Sequence, residues 1–130
     1  MTQYREEDYI NYRIERARET ILEVQTHIEN EFWNTAINRM YYACFYAVSA
    51  LLYKHKIEVG SHAGTRNKFG EVFVKTGIIN REVAKHYTDL FEKRQKGDYN
   101  DFFDYDEETV LRLFPKSQQF IDIIEKALKE

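Results

Sequence analysis

Apolar residues near the start of the chain fall at Ile10, Ile14, Ala17, Ile21, Val24 and Ile28, at intervals of 4, 3, 4, 3 and 4. That rhythm lays one apolar stripe along a helix over about residues 6–30. The next segment, about 32–55, contains FWNTAINRMYYACFYAVSALLY and is apolar or aromatic nearly all round. A helix without a polar face belongs at the centre of a bundle, and Ala36, Ala43, Ala47 and Ala50 recur at helical spacing so that neighbours can approach closely.

A loop around Glu58 to Gly64 precedes a short third helix that carries Phe69, Val72 and Phe73 and stops near Gly77, where a C-terminal glycine is expected. Asn80 is placed to cap a fourth helix over about 81–96, with Val83, Tyr87, Leu90 and Phe91 along its stripe. The segment GDYNDFFDYDEE that follows reads as a loop, and Asp104 with Glu107 three residues later resembles a capping box. In the last helix Val110, Phe114, Ser117, Ile121, Ile124 and Leu128 repeat the rhythm of the first. Pro115 falls inside it and predicts a kink or a restart. Five helices joined by short loops make an all-α, antiparallel up-and-down bundle, a single domain over residues 1–130.

Composition agrees with this pattern and narrows the context. A chain of 130 residues can bury a core of its own without a metal or disulfide, and 5 Gly with 1 Pro are too few for many short strands. No run of 18 apolar residues occurs, and the charged N-terminus MTQYREEDYINY lacks the apolar core of a secretion signal. The lone Cys44 permits no internal disulfide. Together these features lead to the expectation of a soluble, cytoplasmic protein without a membrane segment.

The net charge of -3 hides an uneven distribution. Residues 54–96 hold 10 Lys and Arg against 5 Asp and Glu, whereas the segments before and after are acidic. A basic middle suits a phosphate-binding face, and equally a solvated surface. The glycines form neither a P-loop nor a dinucleotide fingerprint, so no nucleotide cofactor is implied. His27, His55, His62 and His86 are scattered, and the run Asp98, Asp101, Asp104, Asp106 lacks the glycine and ligand order of a calcium loop, so no metal is implied either.

Two arginines break the apolar pattern. Following the fourth helix through Val83, Tyr87 and Leu90 leads to Arg94, and Arg39 shares a row with Phe32, Ala36, Ala43, Ala47 and Ala50. A buried arginine must be paired or must face a site, because an isolated buried charge is very costly. Asp98 and Glu31 are the nearby carboxylates that would pair them in a purely structural role. Arg94 stands where a helix gives way to a polar loop, which is where sites form. Tyr99 follows Asp98 and brings a hydroxyl to that loop. Tyr41, Tyr42, Phe45 and Tyr46 read as core rather than as a base-stacking platform.

The stretches NRMYYACFYAVSALL at 38–52, SHAGTRNKFGEVFVKTGII at 61–79 and LFEKRQKGDY at 90–99, in that order, resemble the small prokaryotic HEPN domain proteins. The resemblance implies a helical bundle that forms a homodimer. It also implies a partner, a minimal nucleotidyltransferase, with which such proteins act as a toxin and antitoxin pair. Ribonuclease members carry an Arg followed after four to six residues by a His. Arg94 matches that Arg, but Tyr99 stands where the His is expected. A tyrosine, with a pKa near 10, is poorly matched to proton transfer near neutral pH, although Arg94 can still hold a phosphate and stabilise developing charge. His62 and His86 are the histidines that folding or dimerisation could bring to Arg94. His86 lies eight residues earlier, a rise of roughly 12 Å along one helix, which makes it the poorer candidate. Some toxin members are adenylylated on a Tyr two residues beyond the His; that position here is Asp101, which leaves Tyr99 as the candidate acceptor.

Three readings follow. In the first, the chain pairs with a nucleotidyltransferase and binds nucleotide or RNA in a cleft where Arg94 holds a phosphate, Asp98 orients it and Tyr99 donates a hydrogen bond or accepts a nucleotidyl group, with Arg39 in a supporting role. The second is a metal-independent endoribonuclease with a modified Arg-x4-Tyr motif, and the third a non-catalytic structural subunit.

Overall fold

The computed structural model describes residues 5–130; the first four residues of the charged N-terminus lie outside the described part. Five α-helices follow one another, and no strand occurs among the described residues. They are α1 (Glu6–Glu29), α2 (Trp33–Lys54), α3 (His62–Phe69), α4 (Arg81–Tyr99) and α5 (Glu107–Leu128), with one π-helical turn over Gly70–Val74 between α3 and α4.

The stripe predicted for α1 turns inward at Ala17, Ile21 and Val24. α2 is the central element: Ala36, Ile37, Met40, Tyr41, Ala43, Cys44, Ala47, Val48, Ala50, Leu51 and Leu52 are all buried, and α1, α3, α4 and α5 pack around it. Contacts at the helix ends give the directions. Tyr9 near the start of α1 meets Tyr53 near the end of α2, with ring centroids 4.3 Å apart. Asn34 at the start of α2 reaches Gly97 at the end of α4. Both neighbours therefore run antiparallel to α2. Lys54 at the end of α2 donates to the carbonyl of Leu128 at the end of α5, so α5 runs parallel to it.

A stack of aromatic rings crosses the core from α2 to α5. Tyr41 lies on Tyr87 at 5.8 Å with the planes 7° apart, and Tyr87 lies on Phe120 at 5.8 Å and 18°. Phe69 from α3 closes the side of this stack edge-on to Tyr87. After the π-helical turn the chain reverses at Gly77, whose φ of 84° is the left-handed value glycine tolerates best.

Three boundaries differ from the sequence reading. α4 does not end at 96 but continues through Gly97, Asp98 and Tyr99. Gly97 permits this because its bare Cα faces Asn34 and Tyr105; a Cβ there would lie 3.4 Å from a side-chain carbon of each. The cap of α5 is Asp106, whose carboxylate accepts from the Thr109 amide at 2.9 Å, rather than the Asp104 and Glu107 pair. α5 runs unbroken through Pro115. Pro115 and Leu111 are both exposed, so water can satisfy the Leu111 carbonyl that the proline leaves without a donor.

Candidate functional site

Arg94 is the charged member of the buried face of α4, in line with Ala84, Tyr87, Leu90 and Phe91. Only 8% of it is exposed. Its guanidinium lies 4.9 Å from the ring centre of Tyr41 and 5.7 Å from that of Tyr42, so two rings of α2 form its floor. Such cation–π contact offsets part of the cost of burying the charge. Asp98, one turn further along α4, supplies the rest of the compensation with Oδ2 at 3.6 Å from Nη1. That distance is an ion pair but too long for a hydrogen bond. Arg94 Nε is buried and has no hydrogen-bond partner among the described residues. The donor capacity of this arginine is thus largely unspent.

Asp98 is itself held from α2. Asn38 Nδ2 donates to both of its carboxylate oxygens, at 3.1 and 3.3 Å. The other end of the Asn38 amide accepts from Arg39 Nε and Nη2 at 3.1 and 2.8 Å. Arg39 is half-buried, with its guanidinium 5.0 Å from the centre of Tyr42, and it bonds to Asn38 rather than to Glu31. Arg94, Asp98, Asn38 and Arg39 form one connected polar chain over Tyr41 and Tyr42, with two cations and one anion. Arg66 of α3 adds a third cation nearby, 4.4 Å above Phe91, which in turn meets Tyr41 edge-on at 6.0 Å. The surplus of positive charge, with unspent N–H donors, suits a phosphate.

Tyr99 ends α4 and is 77% exposed. It makes no hydrogen bond or ring contact among the described residues, and its phenol is free to meet an incoming molecule. The loop beyond it is pinned by Asn34, whose amide donates to the Phe103 carbonyl at 2.7 Å and accepts from the Tyr105 amide at 2.9 Å.

The four histidines fall in separate places. His86 sits between α4 and α5 with Nε2 2.9 Å from Ser117 Oγ, beside a groove of about 780 Å³ that neither Arg94, Asp98 nor Tyr99 lines. Acidic and basic side chains alternate along that groove, Glu82, Asp89 and Glu92 against Lys85, Lys93, Arg112 and Lys116, so it favours no anion. His62 is different. As the first residue of α3, after the Ser61 cap that accepts from the Gly64 amide, it lies with Nδ1 2.7 Å from the Tyr41 hydroxyl. Its ring also meets Tyr42 edge-on at 5.7 Å and packs on Phe45 at 4.4 Å. Burial, and then the Arg94 charge, hold its imidazole below the ordinary histidine value. Asn34, Asn38 and Arg66 carried no signal of their own in the sequence, because only the packing of α2 against α3 and α4 brings them here.

The order of these elements and the position of the arginine on α4 agree with comparisons across known proteins. A family model described as the HEPN domain matches residues 10–127. The chain belongs to the HEPN domain family. A UPF0332 protein of Thermotoga maritima is 40% identical over 124 residues, covering 95% of this chain and 94% of its own. Two proteins of Methanocaldococcus jannaschii, each named "Putative toxin", are 34% identical over 90% of this chain and 29% over 88%, and these alignments cover 87% and 78% of their own lengths. In this HEPN domain the Arg94 site is built from α2 and α4 with His62 of α3 at its edge, and no helix among the described residues is long and apolar enough to cross a membrane.

Proposed function

We propose that this HEPN protein is the toxin-side member of a pair with a minimal nucleotidyltransferase, that it works as a homodimer, and that the Arg94 site holds a phosphate of RNA or nucleotide. The observation that carries this reading is the buried Arg94 guanidinium with Nε unpaired and only an ion pair to Asp98. A purely structural arginine is expected to spend its donors on the fold, since an unsatisfied buried donor costs about 1–3 kcal/mol. The names of two relatives support the toxin role. Arg94 grips the phosphate, Asp98 and Asn38 fix the guanidinium plane, and Arg39 and Arg66 supply additional positive potential. The exposed phenol of Tyr99 serves as hydrogen-bond donor or nucleotidyl acceptor at the rim.

Binding of a single-stranded RNA oligonucleotide, followed by fluorescence anisotropy, tests the site. Arg94→Ala should weaken binding about tenfold or more, as loss of charge-assisted hydrogen bonds implies, and Arg94→Lys should restore only part of it because the planar fork is lost. Circular dichroism on each variant checks the fold. Equal affinity of wild type and a folded Arg94→Ala would overturn the assignment.

A further inference from the structure

His62 and Arg94 come from different helices, α3 and α4, yet both lie against the same two rings. Arg94 covers Tyr41 and Tyr42 at 4.9 and 5.7 Å, and His62 meets those rings at 5.7 Å each. The imidazole is fixed on one side by the 2.7 Å bond between Nδ1 and the Tyr41 hydroxyl and is backed by Phe45. No hydrogen bond engages Nε2 among the described residues. A ring nitrogen anchored by its neighbour while the other stays open is the arrangement of a histidine that moves protons. Beside it, Arg94 offers the unspent donors of a phosphate clamp.

We infer that His62 is the proton-accepting group of the Arg94 site and that the site cleaves the phosphodiester backbone of RNA without a metal ion. This rests on the reading of Arg94 as a phosphate-holding residue. In the tautomer whose Nδ1–H donates to the Tyr41 oxygen, Nε2 carries the lone pair. It takes the proton of the ribose 2′-hydroxyl as the 2′-oxygen bonds to phosphorus and the bond from phosphorus to the 5′-oxygen breaks. The departing 5′-oxygen takes a proton from water, and the imidazolium returns its own to solvent. The products are a 2′,3′-cyclic phosphate and a 5′-hydroxyl. Arg94 stabilises the charge that gathers on the non-bridging oxygens. Burial and the Arg94 charge keep the imidazole below its ordinary value, and so unprotonated and competent as a base at neutral pH.

The test compares the full-length wild type with His62→Asn, His62→Ala and Arg94→Ala on a single-stranded RNA oligonucleotide of mixed sequence in EDTA, reading binding by anisotropy and cyclic-phosphate ends by gel. Asparagine puts an amide nitrogen near the place of Nδ1, so it preserves the Tyr41 bond and removes the base. Wild type should cleave. His62→Asn should bind within about twofold of wild type and cleave about 100-fold or more slowly, the lower range for loss of a general base. His62→Ala should behave alike if the fold holds, and Arg94→Ala should lose binding and cleavage together. Binding by wild type without cyclic-phosphate product, or cleavage by folded His62→Asn at the wild-type rate, overturns the role of His62 and leaves the Arg94 reading standing. Absence of RNA binding by wild type overturns both.

Discussion

The imidazole of His86 shows how one buried side chain couples this fold to pH. The Ser117 hydroxyl donates its only proton to the Leu113 carbonyl at 3.0 Å, so its oxygen must accept from His86, which fixes the proton on Nε2. Burial pushes the pKa of His86 down to about 4; Asp89 opposes this, while Lys116 and Arg112 reinforce it. The folded state therefore binds fewer protons than the unfolded state between about pH 6.5 and 4, and stability falls as pH falls through that window. The stabilisation is fully present above the unfolded value and is worth at most about 3 kcal/mol. His62, lowered in the same direction, adds to the slope. Urea unfolding from pH 7.5 to 4.5 should show a falling midpoint in the wild type and a flatter profile in His86→Gln, whose amide can still donate to Ser117. An unchanged profile in that variant would refute the assignment.

At the scale of elements, the site depends on the contact between the start of α2 and the end of α4. Asn34 makes that contact through its bonds to the Phe103 carbonyl and the Tyr105 amide, with a longer one of 3.4 Å to the Gly97 carbonyl. Tyr105 is buried and its hydroxyl donates to the Lys93 carbonyl at 3.0 Å, which ties the same loop back to α4. Asn34→Ala removes these bonds at about 1 kcal/mol each, so a loss of about 2–3 kcal/mol is expected in urea unfolding, with faster amide exchange over 100–106. A loss below about 0.5 kcal/mol would show that the loop is held by other contacts. The sequence made much of this element legible but not its end. The stripe through Tyr87 and Leu90 led to Arg94 because helical register alone decides which face a residue takes. Gly97 and Asp98 read as a loop because local preference disfavours a helix there, whereas the fold carries α4 onward by fitting Asn34 and Tyr105 against the bare glycine. Tyr41 and Tyr42 read as core; Tyr41 is fully buried and Tyr42 half-buried, yet their faces and edges also carry Arg94 and His62. A hydrophobic pattern cannot distinguish a ring that only fills space from one that also supports a cation.

At the scale of the whole molecule, the site lies at the end of α4, and its rim leads to exposed Tyr99 and Phe102, the latter fully solvent-facing. Two large aromatic side chains beside a cationic site form a surface that a second copy could cover, and the proposed homodimer would bring two Arg94 sites into one cleft. Asn100, exposed just beyond α4, is the position from which to test this. The native Cys44 is fully buried and burial pushes its thiol well above the ordinary value, so it stays silent towards a thiol-directed cross-linker. A cysteine introduced by Asn100→Cys is then the sole accessible thiol of the chain. Dimerisation through the ends of α4 predicts rapid capture of a covalent dimer by a short bis-maleimide at low protein concentration, and no comparable capture by Glu23→Cys on the exposed face of α1. Equal, slow cross-linking of both variants would mean that collision rather than a built interface joins the copies, and the two Arg94 sites would then act singly.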